Sequence, residues 1–138
     1  MTGTMPTELT SLPYLQSLDL SWNDFTGTIP QVFGEMKHIL MLEFHWNHFT
    51  GTIPSSYYDS PTLTQLNFGG NAITGSIPSD KITGLSEIKG FFVDENLLNG
   101  TIPTGLGQLS LLSKCIRFLL SRNSCSRHFT NLLDLCIL

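Results

Sequence analysis

The chain has 138 residues, a net charge of −4 at pH 7 and 13% charged side chains, against about 25% in an ordinary soluble domain. This length accommodates a single domain, and an acidic chain without a Lys/Arg cluster lacks the electrostatic footprint of a nucleic-acid-binding protein. No apolar run is long enough for a membrane-spanning helix, and the amino-terminal segment lacks the basic start and apolar stretch of a secretory signal.

An internal repeat of about 24 residues organises the chain. Asparagines recur at separations of 24, 24, 25 and 27 residues, at Asn23, Asn47, Asn71, Asn96 and Asn123. A Gly-x-Ile-Pro segment begins four residues after each of the first four, and a variant with Met5 opens the chain. We divide this single solenoid (1–138) into a partial first repeat and full repeats, followed by a degenerate last repeat or cap: 1–14, then 15–38, 39–62, 63–87 and 88–114, then 115–138.

Each unit predicts a short strand, a second extended segment and a helical return. In the first full unit, Leu18 and Leu20 alternate as in a strand. Pro30 has no N–H for a ladder and ends the second extended segment. Phe33 and Met36 are three residues apart, as a 3₁₀ or short helical turn requires. One coil cannot bury its own apolar edge, so the coils are predicted to stack in parallel.

The recurring asparagines are interpreted as structural residues rather than catalytic ones. A buried amide is costly unless it is hydrogen-bonded. We therefore expect them to form a column whose side chains bond the turning backbone of their own and neighbouring coils.

The repeat resembles the plant-specific type of leucine-rich repeat, Leu-x-x-Leu-x-Leu-x-x-Asn-x-Leu-x-Gly-x-Ile-Pro, from residue 1 to about 125. The resemblance implies an α/β, L domain-like fold: a right-handed leucine-rich-repeat solenoid with short parallel β-strands on its concave face and 3₁₀ or short helical returns on its convex face. It also implies an extracellular or cell-surface location, as in receptor-like kinase ectodomains and polygalacturonase-inhibitor-like proteins.

Both ends depart from the repeat. No polar cap precedes the first coil, so we expect a fragment of a longer repeat protein. Cys115 and Cys125 occupy apolar repeat positions, which favours buried thiols over a disulfide, and with Cys136 the count is odd. Residues 126–138 are interpreted as a degenerate cap, a mis-spliced or frame-shifted tail being the alternative.

Aligning the exposed columns of the repeats predicts an aromatic and acidic patch on the concave face. Its residues are Asp19, Trp22, Glu43, His45 and Trp46. Exposed Trp beside Asp and His is typical of anchors in protein interfaces; alternatively, the tryptophans shield the sheet edge or meet a further repeat. No metal-ligand spacing recurs and no cofactor motif is present. Every candidate Ser, His or Asp has a repeat-periodic explanation, so a non-enzyme is predicted.

The sequence thus favours a module that recognises a protein or peptide ligand. Stacked aromatics would also suit a polysaccharide. A regular hydroxyl array flanking the repeat glycines would suit ice, although such hydroxyls commonly bond local backbone. The array consists of Thr2/Thr4, Thr26/Thr28, Thr50/Thr52, Thr74/Ser76 and Asn99/Thr101. Asn99-Gly100-Thr101 is also a possible N-glycosylation sequence.

Overall fold

The computed structural model describes residues 1–109, 118–119 and 122–124. The three cysteines and the predicted cap at 126–138 lie outside these residues, so their roles remain predictions. Within the described ranges, the helices lack the length and apolar character that crossing a membrane would need.

Two parallel sheets follow the stack of coils. The strands are β1 (Thr2–Gly3), β2 (Ser17–Asp19), β3 (Asp24–Thr28), β4 (Met41–Glu43), β5 (His48–Thr50), β6 (Gln65–Asn67), β7 (Gly90–Phe92) and β8 (Phe118–Leu119). The larger, concave sheet has the order β2-β4-β6-β7-β8, and the smaller sheet has the order β1-β3-β5. In the larger sheet Leu18 pairs with Leu42, and Leu42 with Leu66. Equivalent repeat positions are therefore neighbours, and the predicted solenoid is confirmed.

The convex returns are short 3₁₀ helices, and the described residues contain no α-helix. Their bounds are Thr7–Ser11, Gln31–Phe33, Ser55–Tyr57, Ile82–Gly84 and Thr104–Gln108. Four of them begin directly after a proline, where the fixed φ of proline suits a helix start: after Pro6, Pro30, Pro54 and Pro103. The return after Pro78 enters its helix four residues later, at Ile82.

Aromatic side chains fill much of the interior. The ring centroid of Phe44 lies 6.0 Å from that of Phe33, 6.3 Å from that of Phe49 and 5.7 Å from that of Phe68. The Tyr57 ring lies 5.5 Å from Phe68, and its hydroxyl donates to the Pro30 carbonyl at 2.8 Å. Because these contacts join successive coils, the core is continuous along the stack.

The five repeat asparagines lie in one column between coils. Asn47 Nδ2 donates to the carbonyls of Leu20 at 3.0 Å and Phe44 at 3.2 Å. Its Oδ1 accepts the Phe25 N–H at 3.0 Å. Asn71 and Asn96 make the equivalent bonds one and two coils on. Each of these amides thus satisfies backbone groups of its own coil and of the coil before it.

Candidate functional site

Each coil leaves the concave sheet through one residue in the left-handed backbone region. The φ values are 55° at Trp22, 54° at Trp46, 63° at Gly70, 50° at Glu95 and 57° at Arg122. This conformation costs a non-glycine residue roughly 1–2 kcal/mol. Bonds between coils hold it: Trp22 N donates to the His45 carbonyl at 3.0 Å, and Trp46 N to the Gly69 carbonyl at 2.8 Å. We call these five residues the left-handed column.

Trp22 and Trp46 form a stacked pair within this column. Their ring centroids are 5.1 Å apart and their planes differ by 21°. A Cβ atom on Gly70 would lie 2.7 Å from Cε3 of Trp46, so only glycine leaves room for that ring. Trp46 is therefore held between Trp22 and Gly70 and is 41% exposed, whereas Trp22 is 70% exposed. The pair exposes apolar area on the surface, chiefly from Trp22.

His45 links the Trp pair to the carboxylates of the concave sheet. Its ring meets that of Trp22 edge-on at a centroid distance of 6.3 Å. His45 Nδ1 lies 3.0 Å from Glu43 Oε2. The geometry does not make this contact a hydrogen bond, and His45 Nδ1 is buried without a hydrogen-bond partner among the described residues.

Glu43 is more buried than the sequence predicts. The residue is only 6% exposed, so it is not the exposed contact residue expected from its repeat position. Gln65 Nε2 donates to Glu43 Oε1 from the next coil, and His45 approaches the other oxygen. Gln65 and His45 thus cover the Glu43 carboxylate, and the carboxylate in turn packs against the His45 ring.

Asp19 is exposed and rigidly held. Its Oδ1 accepts the Ser21 hydroxyl at 2.6 Å and the Ser21 N–H at 2.9 Å. The pKa of Asp19 is held below its usual value. The largest cause is the bond from the Ser21 hydroxyl, followed by the bond from the Ser21 N–H and then by the nearby His45. Asp19 therefore presents a negative charge in a fixed place.

Asp94 belongs to this surface although the sequence analysis did not select it. It shares a repeat column with His45, and the Gly69 between them leaves a gap. A Cβ atom on Gly69 would lie 2.9 Å from Asp94 Oδ1. Burial, followed by the neighbouring Glu95, raises the pKa of Asp94, while His45 acts in the opposite direction. In the sequence, the signal for Asp94 was the small residue Gly69 between the polar residues His45 and Asp94 in one repeat column.

We expect Asp94→Asn to raise the melting temperature at neutral pH. Because the folded-state pKa of this carboxyl is raised, the native protein loses stability as pH rises from the ordinary value of 3.8 through the raised value. The gain should therefore disappear at about pH 3, where the carboxyl is protonated in both states. Thermal unfolding followed by circular dichroism across this pH range measures it.

Asp19→Asn is the matched control with the opposite sign. The pKa of Asp19 is lowered in the folded state, so its contribution is present above the unfolded value and is lost as pH falls through the folded value. The variant should be less stable than the native chain at neutral pH. Equal shifts of the same sign in both variants would contradict these electrostatic assignments.

The flank of the Trp pair carries a second polar pair. His48 Nε2 lies 3.6 Å from Asp24 Oδ1, and both side chains are largely exposed. Together with Trp22, Trp46 and Gly70 they line a shallow open groove. Within residues 1–109, 118–119 and 122–124, no three His, Cys, Asp or Glu side chains are grouped to hold a metal ion.

The hydroxyl array lies on a different surface, along β3 and β5. The hydroxyls of Thr26, Thr50 and Thr74 reach the glycine carbonyls of the preceding coil at 3.5, 3.3 and 3.0 Å. Thr28 and Thr52 are exposed, and their methyl groups face the next repeat glycines. Asn99, the possible glycosylation residue, is exposed at the same surface.

Two family models match the chain, both described as leucine-rich repeats, over residues 14–36 and 59–77. Both describe a structural repeat and neither an enzyme. No curated protein sequence matches the chain significantly.

Solved structures give broader similarity. The plant peptide hormone receptor RGFR1 in complex with RGF2 is 37% identical with a TM-score of 0.82, covering 91% of this chain and 19% of the receptor chain. The Arabidopsis receptor kinase HAESA, solved with the peptide hormone IDA and the co-receptor SERK1, is 30% identical with a TM-score of 0.80, covering 90% of this chain and 20% of that one. A plant ice-binding protein is 27% identical with a TM-score of 0.81, covering 90% and 39%.

The chain thus spans about a fifth of these two receptor chains. The repeat matches, the parallel sheets and the asparagine column agree with one another. The chain is a leucine-rich-repeat protein with the L domain-like fold.

Proposed function

We propose that this chain recognises a protein or peptide ligand through its concave face, with Trp22 and Trp46 as anchors. Asp19 and His45 flank the anchors, and Glu43 positions His45. One observation carries the proposal: the exposed rings of Trp22 and Trp46 are stacked, and both residues belong to the left-handed column. Trp is enriched among the few residues that dominate binding energy in protein interfaces.

The similar structures support this class of partner. RGFR1 was solved with the peptide RGF2, and HAESA with the peptide IDA and the co-receptor SERK1. A further similar structure is described as the ectodomain of a plant membrane receptor kinase. We therefore propose an extracellular or cell-surface role for the repeat solenoid.

Selection from a displayed library of short peptides tests the proposal, with Trp22→Asn as the critical variant. Asparagine tolerates the left-handed conformation, so the ring is removed without backbone strain. We expect selected peptides to lose about 30-fold in affinity, equivalent to an anchor worth about 2 kcal/mol. The melting temperature should stay nearly unchanged because Trp22 is 70% exposed.

Tyr14→Asn is the control, because Tyr14 is an exposed aromatic residue on another part of the surface, beside His38. It should leave peptide affinity intact. Peptides that bind the native chain and Trp22→Asn equally well would show that the Trp pair is not the anchor.

A second candidate function, ice binding, is favoured by the threonine surface together with the similarity to a plant ice-binding protein. Against it, Thr26, Thr50 and Thr74 direct their hydroxyls at backbone carbonyls. Such local bonds are a sufficient reason for threonine at these positions.

Recrystallisation inhibition by the purified chain tests this candidate. If ice is the ligand, Thr28→Tyr or Thr52→Tyr should abolish inhibition because a large ring interrupts the flat surface. Trp46→Asn, on a different surface, should retain it. Absence of inhibition by the native chain at high micromolar concentration would rule out ice binding.

A further inference from the structure

We infer that the ligand places an arginine side chain on this surface, its guanidinium stacked on Trp22 and paired with the Asp19 carboxylate. This inference rests on the proposed function and adds the chemistry of the contact. It starts from the ring of Trp22, which is 70% exposed, because the Trp46 ring packs between Trp22 and Gly70 and is less exposed.

The charge around the Trp pair favours a cation. In the described part of the chain the neighbouring concave columns hold the carboxylates of Asp19, Glu43, Asp94 and Glu95, of which Glu43 already lies against His45 and Glu95 already pairs with Arg122. The Met1 amino group, bonded to Asn23, borders the groove beside the Trp pair. The guanidinium of Arg122 is already engaged, with Nη1 2.9 Å from Glu95 Oε1. The whole chain carries a net charge of −4. An acidic ligand would therefore meet repulsion here, whereas a basic one gains attraction during approach and after docking.

Asp19 is arranged to receive that cation. Both bonds from Ser21 go to Oδ1, which leaves Oδ2 without a hydrogen-bond partner among the described residues. The carboxylate is also near His45, whose ring contacts that of Trp22. Asp19 and Trp22 are thus both neighbours of His45, and the inference is that one planar cation reaches both of them.

Arginine fits this surface better than lysine. Its guanidinium is flat, stacks on aromatic rings and still directs N–H groups sideways to a carboxylate, whereas an ammonium is a compact, strongly hydrated charge. The chain contains an internal example of the required reach. In the left-handed column, Arg122 spans the distance between successive coils to bond Glu95.

Titration of tryptophan fluorescence, excited at a wavelength that tyrosine does not absorb, tests the inference directly. The chain has two tryptophans, and both are in the stacked pair, so the signal reports on this surface alone. The probes are three blocked peptides, acetyl-Gly-Ser-Gly-X-Gly-Ser-Gly-amide, in which X is arginine, citrulline or glutamate. Citrulline keeps the flat shape and removes the charge. We expect the arginine peptide to bind about tenfold more tightly than the citrulline peptide, and added salt to weaken only the former.

Asp19→Asn should reduce the advantage of the arginine peptide over the citrulline peptide, because the guanidinium then keeps only its contact with the Trp22 ring. Glu8→Gln is the matched control, because it removes the same charge from a remote 3₁₀ helix on the convex side. It should leave the difference between the two peptides intact. Equal binding of the arginine and citrulline peptides, tighter binding of the glutamate peptide, or equal effects of Asp19→Asn and Glu8→Gln would each overturn the inference.

The two proposals fail separately. Trp22-dependent library peptides without basic residues would reject the arginine contact and leave the proposed function standing. A library without any Trp22-dependent binder would reject the proposed function, whereas the titration would still decide whether the surface binds a guanidinium.

Discussion

Asn47→Ala is expected to lower the free energy of unfolding by about 2–4 kcal/mol, because one buried N–H loses its acceptor and two carbonyls each lose one of their two amide donors. The Phe25 N–H would lose its acceptor. The carbonyls of Leu20 and Phe44 would each lose the donor from Asn47 and keep the one from the neighbouring asparagine of the column. Alanine leaves a space too small and too buried to replace all of these bonds with water. Urea denaturation followed by circular dichroism measures the loss.

Asn23→Ala is the control within the same column. Asn23 Nδ2 donates to carbonyls of its own coil, Leu20 and Ser21, and its Oδ1 accepts the exposed amino group of Met1. These groups lie near solvent at the first coil, so the expected loss is about 1 kcal/mol. Losses of equal size at Asn23 and Asn47 would mean that bonding between coils is not what makes the column stabilising.

Phe44→Ala is expected to cost about 3–5 kcal/mol, the usual range for deleting a buried aromatic side chain. Phe44 is fully buried and touches the rings of Phe33, Phe49 and Phe68, which belong to three successive repeats. The cavity would therefore weaken contacts between coils as well as within one. Because repeat proteins are stabilised by nearest-neighbour contacts, we also expect a broader urea transition.

Two substitutions bracket this result. Phe44→Leu keeps much of the volume and should cost less than about 1.5 kcal/mol. Tyr14→Ala removes a ring that is 81% exposed and should change the free energy of unfolding by less than about 0.5 kcal/mol. A Phe44→Ala variant no less stable than Tyr14→Ala would contradict a continuous aromatic core.

The fold was predictable from sequence because one spacing is repeated, and each repetition constrains the same strand, turn and return. The concave surface was predictable only in part. The repeat places Glu43 between the inward-facing residues Leu42 and Phe44 and so suggests exposure. It contains no information that Gln65 and His45 cover this carboxylate. The role of Asp94 depends on the missing side chain of Gly69, a relation between neighbouring coils rather than within one.

The repeat pattern also did not predict that the two tryptophan rings stack. Their spacing predicts rings one coil apart, but Trp is not a residue typical of the left-handed region. Gly70, which tolerates that region readily, was the one member of the column whose residue type indicated it. The conformation of Trp22 and Trp46 follows from backbone bonds to the next coil, which residue preferences do not encode.

That backbone geometry has a consequence for protein engineering. Trp22, Trp46, Gly70, Glu95 and Arg122 share one conformation despite their different chemistry, so the scaffold rather than the substituent sets the direction of presentation. New recognition groups can therefore be grafted coil by coil onto a row of equivalent attachment points. Asparagine and glycine are the least costly starting residues there, and β-branched side chains the most costly.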